Sequence, residues 1–202
     1  NLKYDDDKGV MKGSGRSKYG MSVYFSYEIA KKLVARNDIQ IDDVKATDSP
    51  YGSFSDYASM NPYERMYDPE TGEMIKSFNS NGRVIRNALY DSQLPNRSLN
   101  RYTLYRDNFQ VQWWATPHLM FKGNIGITKQ INRSEAYLSP ESVIFDGVRD
   151  AGDRGRYSVS NGTDFDVEGN ITANYNNTFF EKLALSVGVG SEITTTQSES
   201  DG

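Results

Sequence analysis

The sequence predicts an all-β chain: an antiparallel transmembrane β-barrel segment of about six long strands, with long extracellular loops. Three observations carry this. Apolar residues recur at every second position over several stretches, which is the period of a strand. Short and long connections between those stretches alternate strictly. Aromatic residues gather at the ends of the stretches nearest the short connections.

The alternation is plainest in residues 19–29. Tyr19, Met21, Val23, Phe25, Tyr27 and Ile29 share one face, and Ser22, Tyr24, Ser26 and Glu28 the other. A weaker pattern over about 34–46 rests on Ala35, Ile39 and Ile41. Phe109, Val111, Trp113 and Ala115 then oppose Asn108, Gln110 and Gln112. Leu119, Phe121, Ile125 and Ile127 oppose Lys122, Asn124 and Gly126. Phe165, Val167, Ile171, Ala173 and Tyr175 oppose Asp166, Glu168, Asn170, Thr172 and Asn174. In the last stretch Leu183, Leu185, Val187, Val189 and Ile193 oppose Ala184, Ser186, Gly188, Gly190 and Glu192.

These stretches pair as three hairpins. The turns near Ala30–Leu33, Thr116–His118 and Asn176–Glu181 are short, while the connections over about 48–101 and 134–155 are long. All long loops therefore leave from one end, as in outer-membrane barrels, whereas a sandwich distributes loop length over both ends. Trp113, Trp114 and Phe121 flank one short turn and Tyr175, Phe179 and Phe180 another, the placement of an interfacial girdle. The apolar face would meet lipid, with Val23, Phe25, Val111, Ile125, Ile171, Leu185 and Val187 as its lipid-facing candidates. The opposite face, with Gln110, Gln112, Lys122, Asp166, Glu168, Asn170 and Thr172, is too polar for a small filled barrel and suits the lumen of a large one. Six strands cannot close such a barrel, so the chain is expected to be an arc of something larger.

The bulk numbers agree with this reading. The chain has 202 residues, 37% of them apolar, with 14 Tyr, 9 Phe and 2 Trp. Its polar mean hydropathy of -0.69 does not argue against a barrel, whose apolar residues are diluted at alternate positions. No run approaches the ~20 apolar residues of a membrane helix. Cysteine is absent, which removes disulfides, thiolate metal sites and thiol nucleophiles. A net charge of -4 with scattered Lys and Arg gives no nucleic-acid groove.

Specific words add a resemblance. "KGVMKGSGR" (Lys8 to Arg16), "SPYGSFSDYASMNPYERMYDPETGE" (Ser49 to Glu73), "NALYDS" (Asn87 to Ser92) and "LSPES" (Leu138 to Ser142) occur in this order. Together with the strand "YNNTFFEKLALSVGVGSEI" they resemble the SusC/RagA-like TonB-dependent outer-membrane transporters of Bacteroidetes. The resemblance covers nearly the whole chain and implies the middle of a 22-stranded barrel. Where the family often has Asn-Pro-Leu-Tyr, this chain has Asn87-Ala88-Leu89-Tyr90. The family's plug domain, TonB box and signal peptide find no counterpart here, and residues 1–202 are expected to form a partial barrel domain.

The resemblance implies import of a bulky nutrient, glycan or oligopeptide, at the bacterial outer membrane. It implies a SusD-like surface lipoprotein as partner and TonB–ExbB–ExbD acting through the plug. It implies no covalent chemistry and no cofactor. Tyr51, Phe54, Tyr57, Tyr63 and Tyr67, in the first long loop, are candidates to contact ligand or partner, although packing of the loop on itself is the foremost expectation. The alternative function is a soluble β-sandwich that binds carbohydrate through these aromatics.

Other constellations carry less. His118, the one histidine, follows Pro117 in a tight turn and reads as solvent-facing. Asp5, Asp6 and Asp7, in a stretch read as a loop, and Asp146, Asp150 and Asp153 do not match a calcium loop, so no metal site is assigned. "DPETGE" (Asp68 to Glu73) reads as a turn without chemistry.

Overall fold

The structure is a computed structural model. It describes residues 1–51, 54–58, 61, 63–80, 83–180 and 182–202, and of 56, 80 and 83 only the backbone. Its strands and helices in chain order are β1 (Leu2–Lys8), β2 (Gly15–Ala30), β3 (Leu33–Thr47), α1 (Phe54–Ala58), β4 (Ser77–Ser80), β5 (Arg83–Arg86), α2 (Ala88–Asp91), β6 (Arg97–Thr116), β7 (Leu119–Leu138), β8 (Arg156–Phe179) and β9 (Leu183–Asp201). Seven of the strands form one antiparallel meander in the order β1-β2-β3-β6-β7-β8-β9, and β4 and β5 form a separate hairpin within the first long loop. This is the fold of a β-barrel segment.

The six expected strands are all present, and a seventh joins them. The stretch Tyr4 to Gly9, expected to be a loop, lies mostly in β1. Aspartate is a poor strand former, so the sequence carried no strand signal there. Pairing supplies what propensity lacks: Asp5 stands directly opposite Lys18, and Asp7 opposite Arg16. Cross-strand charge pairs of this kind stabilise a ladder. The strands also run further than the alternation suggested. β6 begins at Arg97 and β7 ends at Leu138. Beyond the apolar stretch polar residues fall on both strand faces, with Leu104, Tyr105 and Ile131 scattered among them, so strict hydrophobic periodicity ends before hydrogen bonding does.

The connections keep their asymmetry. At one end β2–β3 and β6–β7 are joined by two residues each, 31–32 and 117–118, and β8–β9 by 180–182. Phe180 adopts φ 53, a left-handed conformation that a tight turn imposes at some cost to a bulky residue. At the other end lie 9–14, 48–96 and 139–155. Irregularities in register fall between Glu28 and Ala30 and between Trp114 and Thr116, beside two of the tight turns. Ile29 and Ala115, expected on the apolar face, are the extra residues there and lie opposite no partner.

Continuous register decides which side chains share a face. Val23 opposes Ile39, which opposes Asp107, Ile127, Val167 and Thr195 in turn. One pleat away, Phe25, Asn37, Phe109, Ile125, Gly169 and Ile193 form the next row. The second face carries Lys18, Asp42 and Gln110. There Lys18 Nζ bonds Asp42 Oδ2 at 2.9 Å, and Gln40 Nε2 donates to the same oxygen at 2.8 Å. Asp42 is buried, and Gly20 sits directly opposite it because its carboxylate occupies the space a side chain would need. A Cβ on Gly20 would lie 2.7 Å from Asp42 Oδ1.

Gly20→Ala is therefore expected to destabilise the sheet by about 1–3 kcal/mol, the usual cost of overpacking. Gly123, in the same kind of strand, has nothing within 4 Å of such a Cβ. Gly123→Ala should be near neutral. Denaturant midpoints of the two variants, measured side by side after refolding, check both. Equal midpoints would remove the close approach at Gly20 as a constraint.

Candidate functional site

The candidate site has three parts: an apolar sheet face, a polar sheet face and the loop layer at one end. All seven lipid-facing candidates, Val23, Phe25, Val111, Ile125, Ile171, Leu185 and Val187, fall on the same face by register. Five of the side chains are open, Phe25 being 57% exposed, Ile125 53%, Ile171 58%, Leu185 44% and Val187 53%, while Val23 and Val111 are half-buried. Among the described residues no second sheet covers this face.

Aromatic pairs mark both limits of the apolar face. Trp113 stacks on Phe121 directly opposite, with ring centroids 5.5 Å apart, near the tight turns. Tyr4 lies on Tyr19 at 4.7 Å, toward the long loops, in the row that runs on through Asp43 to Thr103. From 103 to 113 is ten residues along β6. At ~3.3 Å per residue and ~40° of tilt that spans about 25 Å, the height of an outer-membrane apolar band. Trp114, expected in the girdle, instead faces the other way, opposite Met120. Consecutive strand residues cannot share a face.

Polar residues interrupt the apolar face, among them Asn37, Asp107, Lys129 and Ser191. The Oδ1 atoms of Asn37 and Asp107 are buried without a hydrogen-bond partner. They occupy neighbouring rows on adjacent strands. Sequence reading missed both, since period-two patterns tolerate a single polar residue.

The polar face is knit by side chains. Arg36 Nη1 donates to Gln112 Oε1 at 2.9 Å and to Gln110 Oε1 at 3.4 Å. Asn132 Nδ2 bonds Asp164 Oδ2 at 2.8 Å, and Ser198 Oγ bonds Asp164 Oδ1 at 2.6 Å. These bonds link side chains across adjacent strands. The residues expected to line a lumen, among them Gln110, Lys122, Glu168 and Asn170, all lie on this face.

The loops at the far end are built structures. Asn87 is fully buried and caps α2: its Oδ1 accepts from Leu89 N at 3.1 Å, and its Nδ2 donates to Ile75 O at 2.6 Å. Asp91 Oδ1 accepts from Ser142 Oγ at 3.1 Å and Val143 N at 3.3 Å. Asn96 Oδ1 accepts from Ser139 N at 2.8 Å. Thus the words "NALYDS" and "LSPES" are the joint between the two long loops. Phe78, Val143 and Phe145 are buried in the same loop layer. An asparagine before a short helical run is a capping signal that the sequence did offer. The partnership of the two words, about fifty residues apart, is a tertiary fact it did not.

The loop aromatics are divided. Tyr51 is half-buried, with Lys12 Nζ 5.7 Å from its ring centre, and Tyr57 is half-buried. Phe54, Tyr63 and Tyr67 stand exposed, so packing of the loop on itself does not account for them. Met60 and Pro62, within the same stretch, lie outside the described residues. His118 is exposed in its turn, as expected, and its Nδ1 lies 3.1 Å from Asn176 O, tying the β6–β7 turn to β8. The aspartates tested for metal do not converge: Asp5 and Asp7 share one face of β1 and Asp6 the other, and Asp150 Oδ1 accepts from Gly152 N at 2.9 Å. No group of three or more metal-ligating side chains occurs among the described residues.

The turn at Asp68 has its own electrostatics. Asp68 Oδ1 accepts from Glu70 N at 2.8 Å and Thr71 N at 3.0 Å, and Gly72 takes φ 70 to close the turn. The backbone N–H of Thr71, and then that of Glu70, hold the Asp68 carboxyl below the usual carboxylate range. A hydrogen bond to Tyr90 holds the Lys76 ammonium above the ordinary lysine range, and its Nζ lies 5.3 Å from the Tyr90 ring centre.

The fold has counterparts among solved structures. One described as the RagAB peptide transporter matches with a TM-score of 0.68 at 16% identity, over 98% of this chain. The RagAB peptide importer matches in its closed-closed state with 0.67 at 15% and in its open-open state with 0.68 at 14%. This chain spans 23% of the length of each. No protein-family model matches the sequence, and no curated protein matches it. The fold that the sequence resemblance implied is therefore the fold the solved structures share over that stretch.

Because the folded Asp68 carboxyl titrates below its unfolded value, its contribution to the turn is complete above about pH 4 and is lost as pH falls through the folded value. Amide exchange at Glu70 and Thr71 should accelerate in Asp68→Ala at neutral pH, after correction for intrinsic rates. In the unsubstituted protein the same loosening should come only in more acid solution. Unchanged exchange in the variant would mean that the turn does not depend on this carboxylate.

Proposed function

We propose that this chain is an arc of the barrel of a TonB-dependent outer-membrane transporter that imports a bulky nutrient together with a surface lipoprotein. One observation carries the reading. A single seven-stranded sheet holds an open apolar face against a hydrogen-bonded polar face, and its long loops all leave from one end. In water an apolar face of this extent is a liability, and soluble monomers rarely keep one. Against lipid it is the required surface. The polar face then lines the lumen, and the loop layer stands outside the cell.

In this account the strands do no chemistry. They enclose a path, and the energy to open it comes from TonB–ExbB–ExbD acting on a plug. The exposed rings of Phe54, Tyr63 and Tyr67 are offered to a SusD-like lipoprotein or to the substrate. Of the two substrate classes, glycan and oligopeptide, we favour the oligopeptide, by analogy of fold with the RagAB peptide transporter. The rival reading, a soluble carbohydrate-binding sandwich, needs a second sheet over the apolar face. The described residues contain only the short β4–β5 hairpin besides the main sheet.

Transport is tested with cells that carry the full-length protein. Uptake of labelled oligopeptides should stop when an uncoupler collapses the proton gradient, and uptake that persists would contradict an energised transporter. The membrane placement is tested by two adjacent residues on opposite faces. Ile171→Arg should cost about 2–4 kcal/mol of folding free energy in bilayers if the site lies near the midplane, while Asn170→Arg should cost far less. Equal costs would put the two faces in the same medium.

A further inference from the structure

We propose that the outer rim of the apolar face binds a phosphorylated lipid headgroup through Lys45, Arg101 and Arg133. The inference rests on the membrane placement above. In the register, Lys45 stands directly opposite Arg101, and Arg101 directly opposite Arg133. Three cations thus line up across three adjacent strands, all exposed and all on the apolar-face side of the sheet. Like charges directly opposite one another destabilise a sheet. Among the described residues nothing offsets this in full. Asp43 Oδ2 is 3.7 Å from Arg101 Nη2, and Glu135 Oε2 is 3.9 Å from Arg133 Nη2. Both are longer than a charge-assisted hydrogen bond. Glu135 is shared with Arg97, and Lys45 has no ion pair among the described residues.

The position of the row gives it meaning. It lies one pleat beyond the row of the stacked Tyr4 and Tyr19, which marks the outer limit of the apolar band. A lipid whose tails lie on the apolar face would carry its headgroup at this height. A phosphomonoester there supplies negative charge and acceptor oxygens at closer range than Asp43 and Glu135 offer Arg101 and Arg133. Free phosphate meets only the cations, whereas a phosphorylated lipid also buries its tails on the apolar face, so we assign the site to the lipid.

The test uses the full-length protein containing these strands, reconstituted in phosphatidylcholine vesicles. The vesicles are doped with phosphatidic acid or, for the same tails without phosphate, diacylglycerol. Flotation reports insertion. Lipid kept through purification in mild detergent is then counted by mass spectrometry. We expect phosphatidic acid to be retained in preference to diacylglycerol and not to be displaced by inorganic phosphate. A variant carrying Lys45→Gln, Arg101→Gln and Arg133→Gln should insert normally and lose retention by about fivefold for each cation removed. If that variant does not insert, Lys45→Gln alone should show about a fivefold loss. Undiminished retention in the inserted variant, no preference for the phosphorylated lipid, or displacement by inorganic phosphate overturns the inference and leaves the membrane placement standing. Failure of the unsubstituted protein to float with vesicles overturns both.

Discussion

Everything in this structure depends on the register of one antiparallel ladder. In the lipid of the proposed placement a backbone N–H or C=O has no water to turn to, so each strand would have to satisfy its neighbour along its whole length. A slip of one residue would carry Ile125 to the polar face and Asn124 to the apolar one, and with them the whole strand. The two-residue turns hold the register at one end. The Lys18–Asp42 contact, with Gly20 beneath it, holds it near the other. The irregularities that absorb an extra residue sit beside the turns, where they leave the alternation along the rest of the strand undisturbed.

The loops follow from the same constraint. Fixed strands deliver 48–96 and 139–155 to adjacent points on one rim. There Asp91 meets Ser142 and Val143, and Asn96 meets Ser139, so two loops distant in sequence make one layer with its own buried side chains. A layer held in this way can present exposed rings such as Tyr63 and Tyr67 in fixed positions. In the proposed role the sheet contributes geometry and the loops recognition, which is the usual division of labour between scaffold and loop.

How much of this was legible in the sequence varied with the physics behind each feature. The apolar face was readable residue by residue, because burial in a one-sided medium writes a period of two. Val23, Ile125 and Ile171 could be assigned to it without coordinates. β1 was not readable, since its aspartates stand opposite Lys18 and Arg16 on the neighbouring strand and no local propensity records that register. The outer halves of β6, β7 and β8 were hidden for a related reason: polar residues on both faces break the strict alternation there, and hydrogen bonding marks the strand. Trp114 was misplaced by counting aromatics near a turn without applying the alternation to each. The loop joint at Asn87, Asp91, Ser139 and Ser142 lay in words that stood out by resemblance, while their contact required the fold.

The central claim is that the two faces of this sheet stand in different media. These 202 residues hold no cysteine, so once any cysteine elsewhere in the full-length protein is replaced, spin labels can be placed one at a time along β8 from 163 to 175 in vesicles. The account predicts that oxygen, which partitions into lipid, reaches Phe165, Val167, Ile171 and Ala173 best. A water-soluble nickel complex should reach Asp166, Glu168, Asn170 and Thr172 best, so the two profiles alternate out of phase. Profiles without a period of two, or both faces open equally to the nickel complex, would contradict it.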